Sequence, residues 1–143
     1  SLVRNDVQVQ QVVGQISALA YAAEATAVRA AEAAQRAYLA RFGGDADAER
    51  QANIDAEIES AQGQLVVSEL ALRAGTDLFN ALSASSASER HRLDRHWRNA
   101  RTVSNHNPLI YKAKVIGDWV INGTEPPYVW QIGGSPDLKK QAA

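Results

Sequence analysis

A chain of 143 residues is long enough for one compact domain with a real core and too short for two. It has no cysteine, which removes disulfides, zinc-thiolate sites and a thiol nucleophile together, and its formal net charge of −1 argues against a nucleic-acid binder acting through bulk positive charge. No apolar run approaches the roughly 18 residues of a bilayer span, so the reading is a soluble, cytoplasmic protein without a membrane partner; the lack of any methionine leads us to expect a segment of a longer chain.

Residues 7–42 contain no proline and one glycine. Val9, Val12, Val13, Ile16, Leu19, Ala20, Ala23, Ala27, Ala31 and Ala34 recur there near helical spacing, which predicts one long helix with these positions inward. Its second half is rich in alanine, the best helix former and small enough to let neighbours approach closely. Gly43-Gly44 should stop it. A second helix is expected to open among Asp45, Asp47 and Glu49, acids suited to the positive end of the macrodipole, and to run to about Leu82. Ile54, Ile58, Ala61, Leu65, Ser68, Leu72 and Phe79 form its inward stripe.

The small hydroxyl residues of positions 83–88 then break the pattern, and Ser86 with Glu89 matches a capping box for a third helix carrying Leu93, Trp97 and Ala100 inward. That helix is expected to end near Ser104. Asn107-Pro108 is an N-cap and N1 pair for a fourth helix through Leu109, Ile110, Val115, Ile116, Trp119 and Val120, closed by Gly123. Residues 124–143, with Pro126-Pro127, Gly133-Gly134 and Lys139-Lys140, read as an extended or partly disordered tail. Two very long and two shorter helices with short connections make an all-α antiparallel bundle, spanning 1–123, ahead of a tail at 124–143.

Three features carry chemistry. Arg90, Arg92, Arg95, Arg98 and Arg101 crowd one short stretch with His91 and His96, and Arg95, Arg98 and Arg101 share a face at i, i+3 spacing. They read either as a solvated face or as an anion site, since guanidinium forks grip phosphate or carboxylate in pairs of hydrogen bonds. The serine-rich turn reads either as a plain cap or as a phosphate cradle at a helix N-terminus. His106 falls at a break between helices, either as a structural residue or aimed into a cavity where it exchanges protons. His91 and His96 are five apart, off a common face, and no Glu-x-x-His occurs, so no metal site is expected.

The run Leu93-Asp94-Arg95-His96-Trp97-Arg98-Asn99-Ala100-Arg101-Thr102, followed by His106-Asn107-Pro108 and Tyr111-Lys112, resembles the C-terminal domain of flavin-dependent monooxygenases built on the acyl-CoA dehydrogenase fold, such as dibenzothiophene monooxygenases and sulfur-acquisition oxidoreductases. The resemblance implies a homo-oligomeric enzyme, a dimer or tetramer, that holds FMN or FAD between an N-terminal helical domain, a small β-domain and this bundle. Reduced flavin would come from a separate reductase and, with molecular oxygen, serve to oxygenate a small organosulfur or aromatic substrate. The family's bundle has four main helices and this chain is expected to begin at the second, so that in isolation it would be inactive.

Carried over by position, Ser83, Ser85 and Ser86 resemble the loop that reaches the flavin phosphate from a neighbouring subunit. Arg98 and Arg101 join them as cofactor-binding candidates. His106 resembles the histidine facing the reactive edge of the flavin, there to hydrogen-bond the oxygen or deliver a proton. A second histidine, three residues earlier in several monooxygenases, is Val103 here. Many acyl-CoA dehydrogenases have Arg-Asp-Ala-Lys or Arg-Asp-Ala-Arg where this chain has Arg98-Asn99-Ala100-Arg101, and a catalytic glutamate nine residues after the first arginine. That register reaches Asn107, whose amide cannot abstract the α-proton of an acyl thioester. The monooxygenase reading gains from this. An acyl-CoA dehydrogenase with a relocated base and a non-catalytic helical assembly module are the alternatives.

Overall fold

The structure, a computed structural model, describes residues 2–82 and 84–128. Four α-helices account for most of them, and no strand is present among the described residues: α1 (Val7–Ala40), α2 (Ala46–Asp77), α3 (Asp94–His106) and α4 (Leu109–Asn122).

Both long helices are opened by an aspartate. The Asp6 carboxylate accepts the N–H groups of Gln8 and Val9 at 2.8 and 3.2 Å, and that of Asp45 accepts those of Asp47 and Ala48, both at 3.1 Å. Gly44, at φ 73°, turns the chain between them in a conformation that costs a side-chain-bearing residue. The expected acidic opening of α2 is therefore observed, with Asp47 and Glu49 in its first turn. Its end comes earlier than the periodicity suggested: regular helix stops at Asp77, and Leu78–Ala81 tighten into a 3₁₀ turn.

The α1–α2 hairpin holds the core. Ala33 and Ala37 from α1 meet Ile54, Ile58 and Ala61 from α2, with Ala33 and Ala61 each only 1% exposed, and Val12 is buried toward the other end of the hairpin, where the Gln8 side chain donates to the Asn80 carbonyl. The helices are in close contact at Gly63, where a Cβ would lie 3.4 Å from the Ala30 Cβ and 3.8 Å from the Thr26 Cγ2. This contact corrects the expected α1 stripe. Ala27, Ala31 and Ala34 are exposed, and Thr26, Ala30, Ala33 and Ala37 face α2 instead. With alanine on every side of the helix, hydropathy could not choose the face; the path of α2 does.

α3 and α4 pack along α2 in one direction, broken in the middle. Trp97 lies against Gly75 near the C-terminal end of α2, where a Cβ would sit 3.5 Å from the Trp97 backbone, and Glu125, just beyond α4, pairs with Arg50 near the N-terminal end. The α3–α4 leg therefore runs antiparallel to α2. Trp97, expected inward, lies against α2 at Gly75 yet remains 40% exposed.

The start of α3 also departs from expectation. Ser86 and Glu89 do not form a capping box: residues 84–87 make a short 3₁₀ turn, Arg92 turns the chain at φ 48°, and α3 begins only at Asp94, with no side-chain cap from Leu93. The left-handed turn at Arg92 separates the serines from the helix they were expected to cap. Gly123 closes α4 as expected, at φ 69° with its N–H donating to the Trp119 carbonyl at 2.9 Å. Among the described residues no helix is long and apolar enough to cross a membrane. Gly133-Gly134 and Lys139-Lys140 lie outside the described residues.

Candidate functional site

The break between α3 and α4 is written in two residues. A residue before proline is pushed out of the helical region, and Asn107 accordingly takes φ −114°, ψ 101°, ending α3 at His106. Pro108, at φ −55°, ψ 122°, is the N-cap and Leu109 the first residue of α4, one position later than the expected Asn107 cap with proline at N1. The Asn107 amide makes no capping bond. Instead both His106 and Asn107 line a cleft.

This cleft, about 1200 Å³, lies between the middle of α1, the middle of α2 and the second half of α3. Its walls are mostly small and apolar, with Ala27 and Ala30 from α1, Val67 and Ala71 from α2, and Ala100 and Val103 from α3. Polar groups come from Ser60, Gln64 and Ser68 on one side and from Asn105, His106 and Asn107 on the other. An apolar hollow with a few convergent polar groups is the usual form of a small-molecule site.

The remaining candidates fall elsewhere. Arg98 does not line the cleft, and its guanidinium is taken by the Asp94 carboxylate at 3.1 Å. Arg101 is exposed and does not line the cleft. Arg95, Arg98 and Arg101 do share the solvent side of α3. Ser85 and Ser86 sit in the 3₁₀ turn before the Arg92 bend, away from the cleft, and Ser83 lies outside the described residues. The structure thus joins His106 and Asn107 in one hollow and leaves Ser85, Ser86, Arg98 and Arg101 outside it.

Sequence reasoning missed the α2 side of the cleft. Ser68 was assigned to the inward stripe, but Gln64 and Ser60 were not singled out, although their spacing of four residues through Ser68 is visible in the sequence. Ala27 lines the cleft from α1 while remaining exposed, because the hollow opens beside the α1–α2 seam.

The chain is similar to several monooxygenases. The chain is 29% identical to dibenzothiophene monooxygenase of Mycolicibacterium goodii over 72% of its own length, which is 25% of that protein. It is 40% identical to the probable FMNH2-dependent monooxygenase SfnC of Pseudomonas putida over 39% of its length and 15% of that protein. Among solved structures, methanesulfinate monooxygenase MsuC of Pseudomonas fluorescens superposes with a TM-score of 0.70 at 29% identity, covering 89% of this chain and 32% of that one. FMN-bound TdsC of Paenibacillus sp. A11-2 gives 0.64 at 26% identity, covering 87% and 30%. The chain therefore spans a third or less of each of these relatives. The family model for the acyl-CoA dehydrogenase C-terminal domain matches residues 3–109, from the start of the chain through α3, and the chain belongs to that family.

Proposed function

We propose that this chain forms the C-terminal helical part, residues 1–123 with a tail at 124–143, of a cytoplasmic monooxygenase that takes reduced flavin from a separate reductase and oxygenates a small organosulfur or aromatic compound. The observation that carries the reading is the placement of His106 and Asn107 together at the α3–α4 break, facing an apolar cleft. FMN is favoured over FAD because two of the relatives named above, SfnC and TdsC, are FMNH2-dependent and FMN-bound respectively.

The residues fit a flavin in part. A flat aromatic ring needs apolar walls with hydrogen-bonding groups at its edge, and the cleft offers both. A phosphate needs cations or free N–H groups, and the arginine candidates Arg98 and Arg101 are exposed and lie outside the cleft. We therefore assign Arg98 and Arg101, together with Ser83, Ser85 and Ser86, to the flavin phosphate of a neighbouring copy in a dimer or tetramer. Exposed apolar side chains on α4, with Ile110 at 75% and Ile121 at 81%, supply a surface for such assembly. Bound flavin supplies oxygen activation; His106 supplies a hydrogen bond and a proton at the reacting edge. Asn107 holds the position of the dehydrogenase base with a group that cannot remove a proton, leaving the site without the glutamate that acyl thioester oxidation requires.

In the whole protein, His106→Ala should lower product formed per reduced flavin consumed about a hundredfold, within the range of a lost acid-base group, while oxygen consumption continues. Unchanged coupling would remove the role given to His106.

A further inference from the structure

Asn122 alone among the asparagines is followed by glycine; the others precede Asp6, Ile54, Ala81, Ala100, His106 and Pro108. The order matters for the amide, because a backbone nitrogen with no Cβ beside it reaches the preceding side-chain carbonyl without a clash. Asn122 is exposed and ends α4, yet two hydrogen bonds in that last turn keep the amide unreactive. Its Nδ2 donates to the Asp118 carboxylate at 2.9 Å, and the Gly123 N–H, which must lose its proton before it attacks, donates to the Trp119 carbonyl at 2.9 Å. Helix ends open more readily than the middle of a fold, so this protection is only as strong as the turn.

We propose that Asn122 is a modification site that deamidates spontaneously when the last turn of α4 opens, and that the product keeps the turn open. In the open turn the Gly123 nitrogen gives its proton to hydroxide and attacks the Asn122 Cγ. The N–Cγ bond forms, the Cγ–Nδ2 bond breaks, and Nδ2 takes up a proton from water and leaves as ammonia. A water molecule then opens the cyclic imide at either carbonyl, giving an aspartyl or isoaspartyl residue at position 122. The new carboxylate cannot donate to Asp118 and stands one helical turn from it, where like charges repel. Just beyond, Glu125 pairs with Arg50 of α2 and Pro126 is buried, so the loosened turn lies beside the anchor of the α3–α4 leg.

The test incubates the whole protein at mildly alkaline pH and follows each asparagine by peptide mass spectrometry, reading the mass gain of amide-to-acid conversion and the isoaspartyl product. Asn122 should convert first, and about tenfold or more slower in the folded protein than in guanidinium, the protection that a modest opening free energy confers. Asp118→Ala should speed conversion at Asn122 about three- to tenfold, the size of one hydrogen bond, with Asn53 inside α2 as the internal reference. Asn122→Asp, which carries the charge of the product, should speed amide exchange at Gly123 by a similar factor, and the uncharged Asn122→Ser by less. Conversion of another asparagine ahead of Asn122, or equal rates folded and in guanidinium, would overturn the proposal. Acceleration at Asn53 as large as at Asn122 would mean global unfolding and remove Asp118 from the gate. Unchanged exchange at Gly123 in Asn122→Asp would overturn the claim that the product holds the turn open.

Discussion

Gly63 decides how closely α1 and α2 approach, and its replacement tests the packing quantitatively. An alanine there gains about 1 kcal/mol of intrinsic helix propensity, but its methyl would stand 3.4 Å from the Ala30 Cβ, at the tight edge of ordinary contact, and Ala30 has no flexible side chain to move aside. Gly14 in α1 supplies the reference, because a Cβ there meets nothing within 4 Å. Gly14→Ala should therefore stabilise by about 1 kcal/mol, and Gly63→Ala by a few tenths less. Gly63→Leu must place three further carbons against Ala30 and Thr26 and should cost about 1–3 kcal/mol. Urea unfolding followed by helical circular dichroism reads all three. A Gly63→Leu protein as stable as Gly63→Ala would show that the helices are not in contact at this level, and with it the cleft wall would be misplaced.

Three further outcomes follow from the same geometry. Ile58, 6% exposed in the α1–α2 seam, should cost about 2–5 kcal/mol when cut to alanine, measured by the same unfolding curves. Asp118 is held down at about 2 by hydrogen bonds from Asn122, Lys114 and Thr124. A carboxylate with a depressed pKa stabilises above its ordinary range and loses that contribution as pH falls through the folded value, so the C-terminal end of α4 should loosen between about pH 4 and pH 2. Carbon-detected NMR of the Asp118 carboxyl should show the low midpoint, and Asp118→Asn should abolish the pH dependence at Gly123; an ordinary midpoint would contradict the network. Replacing Pro108 by alanine releases Asn107 from its extended conformation and restores an N–H, so α3 and α4 should join into a more continuous helix. Amide exchange at positions 107, 109 and 110 should slow, and unchanged exchange would mean that the break has another cause.

The fold was largely legible because its signals are local. Asp45 as a cap, Gly44 and Gly123 as stops, and the pre-proline restriction at Asn107 each act over a few residues and appear where expected or within one position. The misses share a physical cause in that they depend on what lies opposite. The alanine face of α1 was set by Gly63, distant in sequence, and the failed capping box at Ser86 reflects the left-handed Arg92, which no local pattern announced. Of the candidate site, His106 and Asn107 could be read from the chain, since the helix break that aims them is encoded beside them. Gln64 was not, because a glutamine on a helix looks solvated until a second helix brings a histidine to the same cleft.

The central claim is that the helices here serve oxygen chemistry rather than acyl thioester oxidation. Its most direct measurement gives the whole protein reduced FMN from a reductase, oxygen and an organosulfur substrate, and separately offers the flavin-loaded protein an acyl-CoA without oxygen. The account predicts an oxygenated product in the first case and no bleaching of the flavin in the second. Flavin reduction by acyl-CoA, with no oxygenated product, would contradict it.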